Sequence, residues 1–243
     1  MKRIILVFCI LITFTQQLLA QDLDGKLEFG LGISPALSWV NSKTKMVNSG
    51  GTSINFGFGA RVNYKFSEKY ALAFELNLQN LGAKTQFDRI NVKYNNTVKT
   101  SDDFSLNYNL KYIEVPVMMK MRTETKNKIS YFGEFGTNLG WLLNQLADVD
   151  SKELSLGKVN TRNPEVGDEF VLINADNGTT EYDYSLNRLK LGMIFGGGVH
   201  LHSDINAIVE IGLRYHVGLT DIYKEDKWEG TNQAIAINLG FIF

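Results

Sequence analysis

Apolar residues alternate with polar or small residues along most of the chain after Leu27. The clearest segment runs from Val209 to Leu219, where every odd position is apolar or aromatic and the even positions are polar or glycine. Eight segments of this kind, each about ten residues long with a two-residue period, are typical of membrane-spanning β-strands. The predicted strands cover approximately residues 27–39, 54–64, 70–87, 112–121, 131–141, 189–200, 209–219 and 235–243.

The lengths of the connections distinguish a membrane barrel from a soluble β-sandwich, whose strands also alternate. Short connections at 67–69, 125–128 and 202–206 are interspersed with longer ones at about 41–50, 88–108, 147–186 and 221–230. Short periplasmic turns alternating with long extracellular loops characterise outer-membrane barrels, and sandwiches lack this asymmetry. The sequence therefore predicts an all-β fold, an eight-stranded antiparallel transmembrane β-barrel in the outer membrane.

This topology places the aromatic residues in two groups, as in membrane barrels that carry an aromatic belt at each interface. The group at or near the external rim is Trp39, Trp141 and Trp228, and the periplasmic group is Tyr64, Phe66, Tyr70, Tyr131 and Phe243. Pro35 and Pro116 fall inside strands, although proline cannot donate to a ladder. We expect a bulge or a local break in pairing at each.

The first twenty residues have the features of a secretory signal peptide. Lys2 and Arg3 precede the apolar run 4–12, and Ala20 provides a small residue before the expected cleavage point. The run is too short to span a bilayer as a helix. We therefore assign residues 1–20 to a signal peptide and 21–243 to the barrel domain. Cys9 is the only cysteine, so the mature chain has neither disulfides nor thiolate metal ligands.

Charge and composition narrow the function classes. Without Lys2 and Arg3 the chain carries 23 basic and 26 acidic residues, a net charge of −3. This balance argues against a nucleic-acid-binding protein, which would show a basic patch or stripe. No stretch after residue 20 approaches the roughly 20 apolar residues that a membrane helix needs, and a chain without such helices spans a membrane only as a closed barrel.

Several segments resemble the PorT-like outer-membrane barrels of Bacteroidota. The residues that carry the resemblance are the strand YIEVPVMMK at 112–120, the glycine-rich YFGEFGTNLG at 131–140, GLRYHVGLTDI at 212–222 and the closing NLGFIF at 238–243. The resemblance covers about residues 28–243 and implies the barrel fold. It also implies an accessory role in type IX protein secretion, the system in which the founding member of the family acts. A terminal aromatic residue in barrels is read by the outer-membrane assembly machinery, so Phe243 is the expected assembly signal.

The inward faces of the predicted strands carry charges of both signs. An eight-stranded barrel has an interior just filled by side chains, and buried charges must pair because unpaired burial is costly. We therefore predict an interior ion-pair network formed by Glu75, Glu114, Glu134, Glu210, Arg61, Lys120 and Arg214. Glu28, Lys190 and two histidines share the inward faces, and interior glycines leave space beside the long side chains. A small-solute channel is the alternative interpretation.

An enzyme acting on lipid A in the outer leaflet is a further alternative. Such chemistry needs a base or nucleophile near that leaflet, oriented by a carboxylate. His216 is the candidate base, with Arg214 and Glu210 on the same face, but no serine stands at a persuasive spacing. The glycines at 57, 59 and 196–198 lie inside strands and precede no helix, so a phosphate or dinucleotide loop is not predicted. We predict no catalytic residue, cofactor or metal site.

The segment 147–186 carries nine carboxylates against three basic residues. Asp176-Asn177-Gly178 after the apolar run 170–173 predicts a small hairpin. The loop is either a surface for partners or for cation-bridged lipopolysaccharide, or a solvated acidic loop without a partner. The sequence as a whole predicts a non-enzymatic outer-membrane anchor or partner-binding component. The expected partners are outer-membrane lipid and lipopolysaccharide, the assembly machinery and, through the resemblance, secretion-system proteins.

Overall fold

The computed structural model describes residues 26–44, 47–87, 89–94, 97–102, 104–151, 160–161, 171–174, 181–182, 186–203, 207–225 and 227–243. The predicted signal peptide at 1–20 and most of the acidic segment 147–186 lie outside the described residues. No helix in the described part of the chain is long and apolar enough to cross a membrane.

Eight long strands form the barrel. They are β1 (Leu27–Ser42), β3 (Ser53–Lys65), β4 (Tyr70–Phe87), β7 (Phe104–Arg122), β8 (Ile129–Ser151), β12 (Leu189–His202), β13 (Ile208–Gly218) and β14 (Gly230–Ile242). In the described parts of the longer connections there are six short strands: β2 (Val47–Ser49), β5 (Ile90–Tyr94), β6 (Thr97–Ser101), β9 (Asn160–Thr161), β10 (Val171–Asn174) and β11 (Glu181–Tyr182).

The long strands pair with their neighbours in the order β12-β13-β14-β1-β3-β4-β7-β8, and β8 pairs in turn with β12. Every pairing is antiparallel, so the sheet closes on itself. This confirms the predicted eight-stranded antiparallel barrel. Closure removes the exposed edges that would otherwise leave backbone groups unpaired in lipid.

The three short turns lie at one end of the barrel, which is the periplasmic end by the usual asymmetry of such barrels. In the β7–β8 turn, Lys126 and Ile129 exchange two backbone hydrogen bonds of 2.8 and 3.0 Å. The two residues between them, Asn127 and Lys128, have φ angles of 52° and 65°. Positive φ at both central positions defines the type I′ hairpin turn, whose twist matches that of the flanking strands.

Both in-strand prolines interrupt pairing on one side only. Pro35 keeps its register with Phe56 of β3, but the β1–β14 ladder is interrupted at Ser34 and Pro35. Pro116 keeps its register with Asn138 of β8 and interrupts the ladder toward β4. The register is the same on both sides of each gap, so of the two expected outcomes the local break is the one observed. The β7–β8 pair has a bulge elsewhere, at Leu143 of β8, which has no register partner opposite Lys111 and Tyr112.

Strands β4, β7 and β8 continue beyond the lipid-facing wall at the external end of the barrel. On β4 the outward positions are apolar up to Leu78 and polar or glycine from Asn80 onward, whereas the inward positions become mainly apolar from Leu81. On β7 the outward face changes in the same way between Ile113 and Lys111. The two faces exchange polarity because the strand leaves lipid for water while its inner face enters an apolar core. This change marks the external boundary of the lipid-facing wall.

A second, four-stranded sheet lies in the external connections, in the order β11-β10-β5-β6. Strand β10 pairs with β11 in an antiparallel register that joins Leu172 to Tyr182 and Ile173 to Glu181. This pairing agrees with the hairpin predicted around Asp176-Asn177-Gly178, although the turn itself lies outside the described residues. Ile90 and Val92 of β5 and Leu172 of β10 belong to the same apolar cluster as inward residues of β4 and β7.

Candidate functional site: a charged interior beneath an apolar cap

The centre of the barrel is organised around the Glu210 carboxylate, which is fully buried. Its Oε1 accepts hydrogen bonds from Arg61 at 2.5 Å and from Asn238 at 2.7 Å. Its Oε2 accepts from the Lys120 ammonium at 2.6 Å and from His200 Nε2 at 2.8 Å. The four donors come from four strands, so one carboxylate joins β3, β7, β12 and β14 to its own strand β13.

The Arg214 guanidinium forms the second centre of the network. It donates two bonds to Glu75, at 2.7 and 2.8 Å, and two to Glu134, at 2.5 and 3.2 Å. Lys120 lies 3.3 Å from Glu134, and Arg61 lies 3.7 Å from Glu75, so the two centres are linked. Bidentate pairs of this kind fix geometry as well as charge.

The charges of this central network balance. Three cations (Arg61, Lys120, Arg214) meet three carboxylates (Glu75, Glu134, Glu210), and each of the six residues is less than 5% exposed. Burial of a charge is tolerated only when it is paired and hydrogen-bonded. The structure thus brings together six of the seven residues named from the sequence.

The seventh residue, Glu114, forms a separate pair. Its Oε1 accepts a 2.8 Å bond from the Lys190 ammonium, which also lies 5.4 Å from the centre of the Tyr112 ring. Lys190 was recognised as inward-facing but was not included in the predicted network. This pair lies closer than the central network to the external end of the barrel.

A third ionic group lies at the periplasmic end. Arg122 donates two bonds to the Glu28 carboxylate, at 2.6 and 2.8 Å, and Asn63 donates one at 3.1 Å. Lys65 lies 3.4 Å from the same carboxylate. The sequence reasoning placed Glu28 inside but missed Arg122. The signal for it was available, because Arg122 has the same parity as Lys120, Glu114 and the other inward residues of β7.

Glycines on the inward faces make room for the long charged side chains. Gly32 and Gly240 are register partners, and a Cβ added to either would lie 2.3 or 2.7 Å from the Arg61 guanidinium. A Cβ on Gly196 would lie 3.0 Å from a Glu134 oxygen. Any residue larger than glycine in place of Gly32 or Gly240 would therefore occupy the space of the Arg61 guanidinium.

An apolar cap closes the external end above these charges. It consists of inward side chains of the extended strands β4 and β7, buried residues of β5 and β10, and two aromatics of the β13–β14 loop. Trp228 from that loop lies 5.0 Å from the Phe87 ring and 5.9 Å from the Tyr223 ring. The Tyr223 hydroxyl lies 2.8 Å from the Thr85 hydroxyl, which anchors the loop to β4.

The structure corrects the predicted position of Trp228. This side chain is 1% exposed and lies inside the cap rather than in a lipid-facing belt. Trp141 is 52% exposed on the outer face, and Trp39 stacks with the outward Tyr215. All five aromatics of the periplasmic group are exposed, as expected for a belt.

Two other residues named from the sequence are clearly placed. His216 is on the inward face of β13, between the outward Tyr215 and Val217, and is half-buried. A lipid in the outer leaflet contacts the outward face, so His216 does not line a lipid-facing surface. Phe243 is exposed, and its backbone exchanges hydrogen bonds of 2.8 and 3.0 Å with Phe29. Its role as an assembly signal stays a prediction.

The comparisons with known proteins agree with this architecture. The family model described as outer membrane protein beta-barrel domain matches residues 17–224. The chain belongs to this family. It is therefore an outer-membrane protein, as its sequence predicted. No curated protein matches the chain significantly.

The chain is similar to several solved outer-membrane proteins at low sequence identity. Neisserial surface protein A is 14% identical with a TM-score of 0.42, over 90% of this chain and 96% of that one. OprG from Pseudomonas aeruginosa is 10% identical with a TM-score of 0.45, over 89% and 95%. The attachment invasion locus protein Ail of Yersinia pestis, in complex with the heparin analogue sucrose octasulfate, is 14% identical with a TM-score of 0.39, over 90% and 99%. Likeness at this level does not extend to function.

Proposed function

We propose that the protein is a non-conducting, non-enzymatic outer-membrane anchor that holds a folded external surface for a partner. The observation that carries this proposal is that two layers of side chains fill the barrel interior. Paired charges occupy its middle, and an apolar cap occupies its external end.

The charged layer supports the absence of a pore. An interior of eight strands is just wide enough for its own side chains, and here eight charged residues are paired across it. A solute would have to separate pairs such as Arg214–Glu75, and breaking a buried pair costs about 3–5 kcal/mol. Because these paired side chains occupy the interior, we expect no continuous water-filled path for a solute.

The cap supports a role at the cell surface. Strands β4, β7 and β8 extend beyond the lipid-facing wall, and the four-stranded external sheet adds backbone structure above it. Functional residues are often carried on loops held by a rigid scaffold. The cap gives the loops such a scaffold, because its core fixes β5, β10 and the β13–β14 loop together.

Planar-bilayer recording of the refolded protein tests the proposal. We expect no single-channel steps from the wild type, because both layers fill the interior. The variant Trp228→Ala, which removes the largest side chain of the cap, should also be silent, because the charged layer remains. Steady, uniform steps from the wild type would refute the proposal in favour of a small-solute channel.

Within this role, we propose that the partner belongs to the type IX secretion system. The support is the resemblance of the segments at 112–120, 131–140 and 212–222 to PorT-like barrels of Bacteroidota. Deleting the gene and comparing the secreted proteins tests it, with loss of type IX cargo from the medium as the expected result. An unchanged set of secreted proteins would remove this assignment and leave the anchor role intact.

A further inference from the structure

We propose that the outer wall of the barrel binds one phosphorylated lipid of the outer leaflet, with its phosphorylated headgroup along Lys84 and Lys111 and an acyl chain in a groove below them. Two observations made at different places on the wall lead to this site. One is the composition of the surface just above the lipid boundary, and the other is the shape of the wall below it.

On β4 and β7 the outer face above the boundary carries two lysines among amides, and this cationic surface borders Asp148 of β8, the register partner of Asn107. Asn80 of β4 is the register partner of Lys111, and Lys84 is the partner of Asn107. Asn109 lies between the two lysines on the outer face of β7. Among the described residues neither lysine forms a salt bridge. These two ammonium groups are therefore available to an external anion.

The position of this surface selects the anion. It begins one outward position above Leu78 and Ile113, where the wall changes from apolar to polar. Lys111 lies at the depth of a lipid phosphate, one outward position above Ile113, and Lys84 lies three outward positions above Leu78. Lysines held near a membrane surface attract anionic headgroups. Asparagine side chains nearby offer donors and acceptors to the polar groups of the same headgroup. A soluble anion would pair with the lysines but would make no contact with the apolar wall beneath them.

The wall below is grooved rather than smooth. A groove of about 850 Å³ crosses it from β13 to β7. Its floor includes Gly240, Gly32 and Gly59, which are consecutive register partners on β14, β1 and β3. Outward apolar side chains of the rows on either side form its walls. Inside the barrel, Gly32 and Gly240 leave room for Arg61 and Gly59 leaves room for Asn77. On the outside, the groove follows the row of these glycines.

The groove climbs toward the cationic surface. At one end it is lined by Val209 and Phe241, close to the periplasmic ends of β13 and β14. At the other it is lined by Leu78 and Ile113, directly below Asn80 and Lys111. Six strands separated by about 4.8 Å give it a length of roughly 24 Å. This is enough for one extended acyl chain, with the phosphate at the upper end.

Binding of lipid A to the refolded full-length barrel, measured by native mass spectrometry, tests the headgroup part. Each lysine near a membrane surface contributes an attraction equivalent to about fivefold in affinity. The variant with Lys84→Gln and Lys111→Gln should therefore bind about 25-fold more weakly. Lys126→Gln, an equivalent change on the exposed periplasmic turn, should leave binding unchanged. Lipid A without its phosphates should bind the wild type as weakly as the double variant binds the intact lipid.

Equal binding of intact and dephosphorylated lipid to the wild type, or wild-type affinity in the double variant, would overturn the proposal. Ala60→Phe tests the groove, because Ala60 faces outward within it. We expect weaker lipid binding than in Leu139→Phe, an outward change outside the groove that serves as control. Heat-modifiable gel migration verifies that both variants fold. A wild-type mass of two chains that Ala60→Phe abolishes would show that a second copy occupies the groove, and would also overturn the proposal.

Discussion

Neutralising Glu210 provides the sharpest test of the interior network. Glu210→Gln keeps the shape of the side chain but removes one of three central carboxylates, while Arg61, Lys120 and Arg214 remain buried. The centre of the barrel then has one uncompensated positive charge. Breaking a buried pair in this way typically costs about 3–5 kcal/mol. Because the amide oxygen still accepts two of the four hydrogen bonds, we expect a loss in the lower half of that range.

Urea unfolding of the barrel in lipid vesicles, followed by tryptophan fluorescence and strand circular dichroism, measures the loss as a shift in midpoint. The matched control is Glu124→Gln, which removes an exposed carboxylate 2.8 Å from Lys69 in the periplasmic turns. Surface pairs contribute little, so the control should unfold at the wild-type midpoint.

A second substitution tests whether charge balance is the cause. Adding Lys120→Met to Glu210→Gln leaves two central cations and two carboxylates. The double variant should therefore be less destabilised than the sum of the two single variants, with a coupling of about 0.5–3 kcal/mol. Strict additivity, or a Glu210→Gln loss below about 1 kcal/mol, would refute the reasoning that the interior is held by balanced pairs.

Two further predictions concern the cap and the glycine wall. Burial raises the pKa of Tyr223 to about 12, although its hydrogen bond with Thr85 acts in the opposite direction. Because the folded cap prefers the neutral phenol, the stability of the cap should fall as the pH rises from about 10 to 12. The fluorescence of Trp228 should report this loosening, and a Tyr223→Phe variant that loosens over the same range would contradict it. Gly32→Leu should displace the Arg61 guanidinium and cost about 1–3 kcal/mol by overpacking, and an unchanged urea midpoint would contradict this placement of Arg61.

The period of two made the barrel predictable because it records which face of each strand meets lipid. Strand β4 begins and ends where the sequence indicated, at Tyr70 and Phe87. The parity of the inward residues followed as well, since a slip of one position would expose every charge to lipid. The break in pairing at each proline also followed from local chemistry, because a residue without an N–H cannot donate to the ladder.

The sequence did not determine which charged residues pair across the barrel. It also did not show that the alternating pattern continues above the membrane with the apolar face turned inward. The inward-facing Glu114 pairs with Lys190, which is 76 positions away, and only the closed barrel determines that choice. Strand β7 begins at Phe104 rather than at the predicted Tyr112, because an amphipathic strand in water keeps the same period with its faces exchanged. Trp228 was wrongly assigned to a belt for a similar reason, since a loop tryptophan near the rim can face a protein core as well as lipid.

The Glu210 centre has a consequence for how the barrel forms. Its ligands come from β3, β7, β12 and β14, and the linked Arg214 centre adds β4 and β8. A partly assembled sheet would hold several of these charges without counterparts, so its inner face favours water over enclosure. Only the arrival of the last strand satisfies them all at once. The network therefore destabilises partly assembled intermediates in lipid, so that only the closed barrel is stable in the membrane.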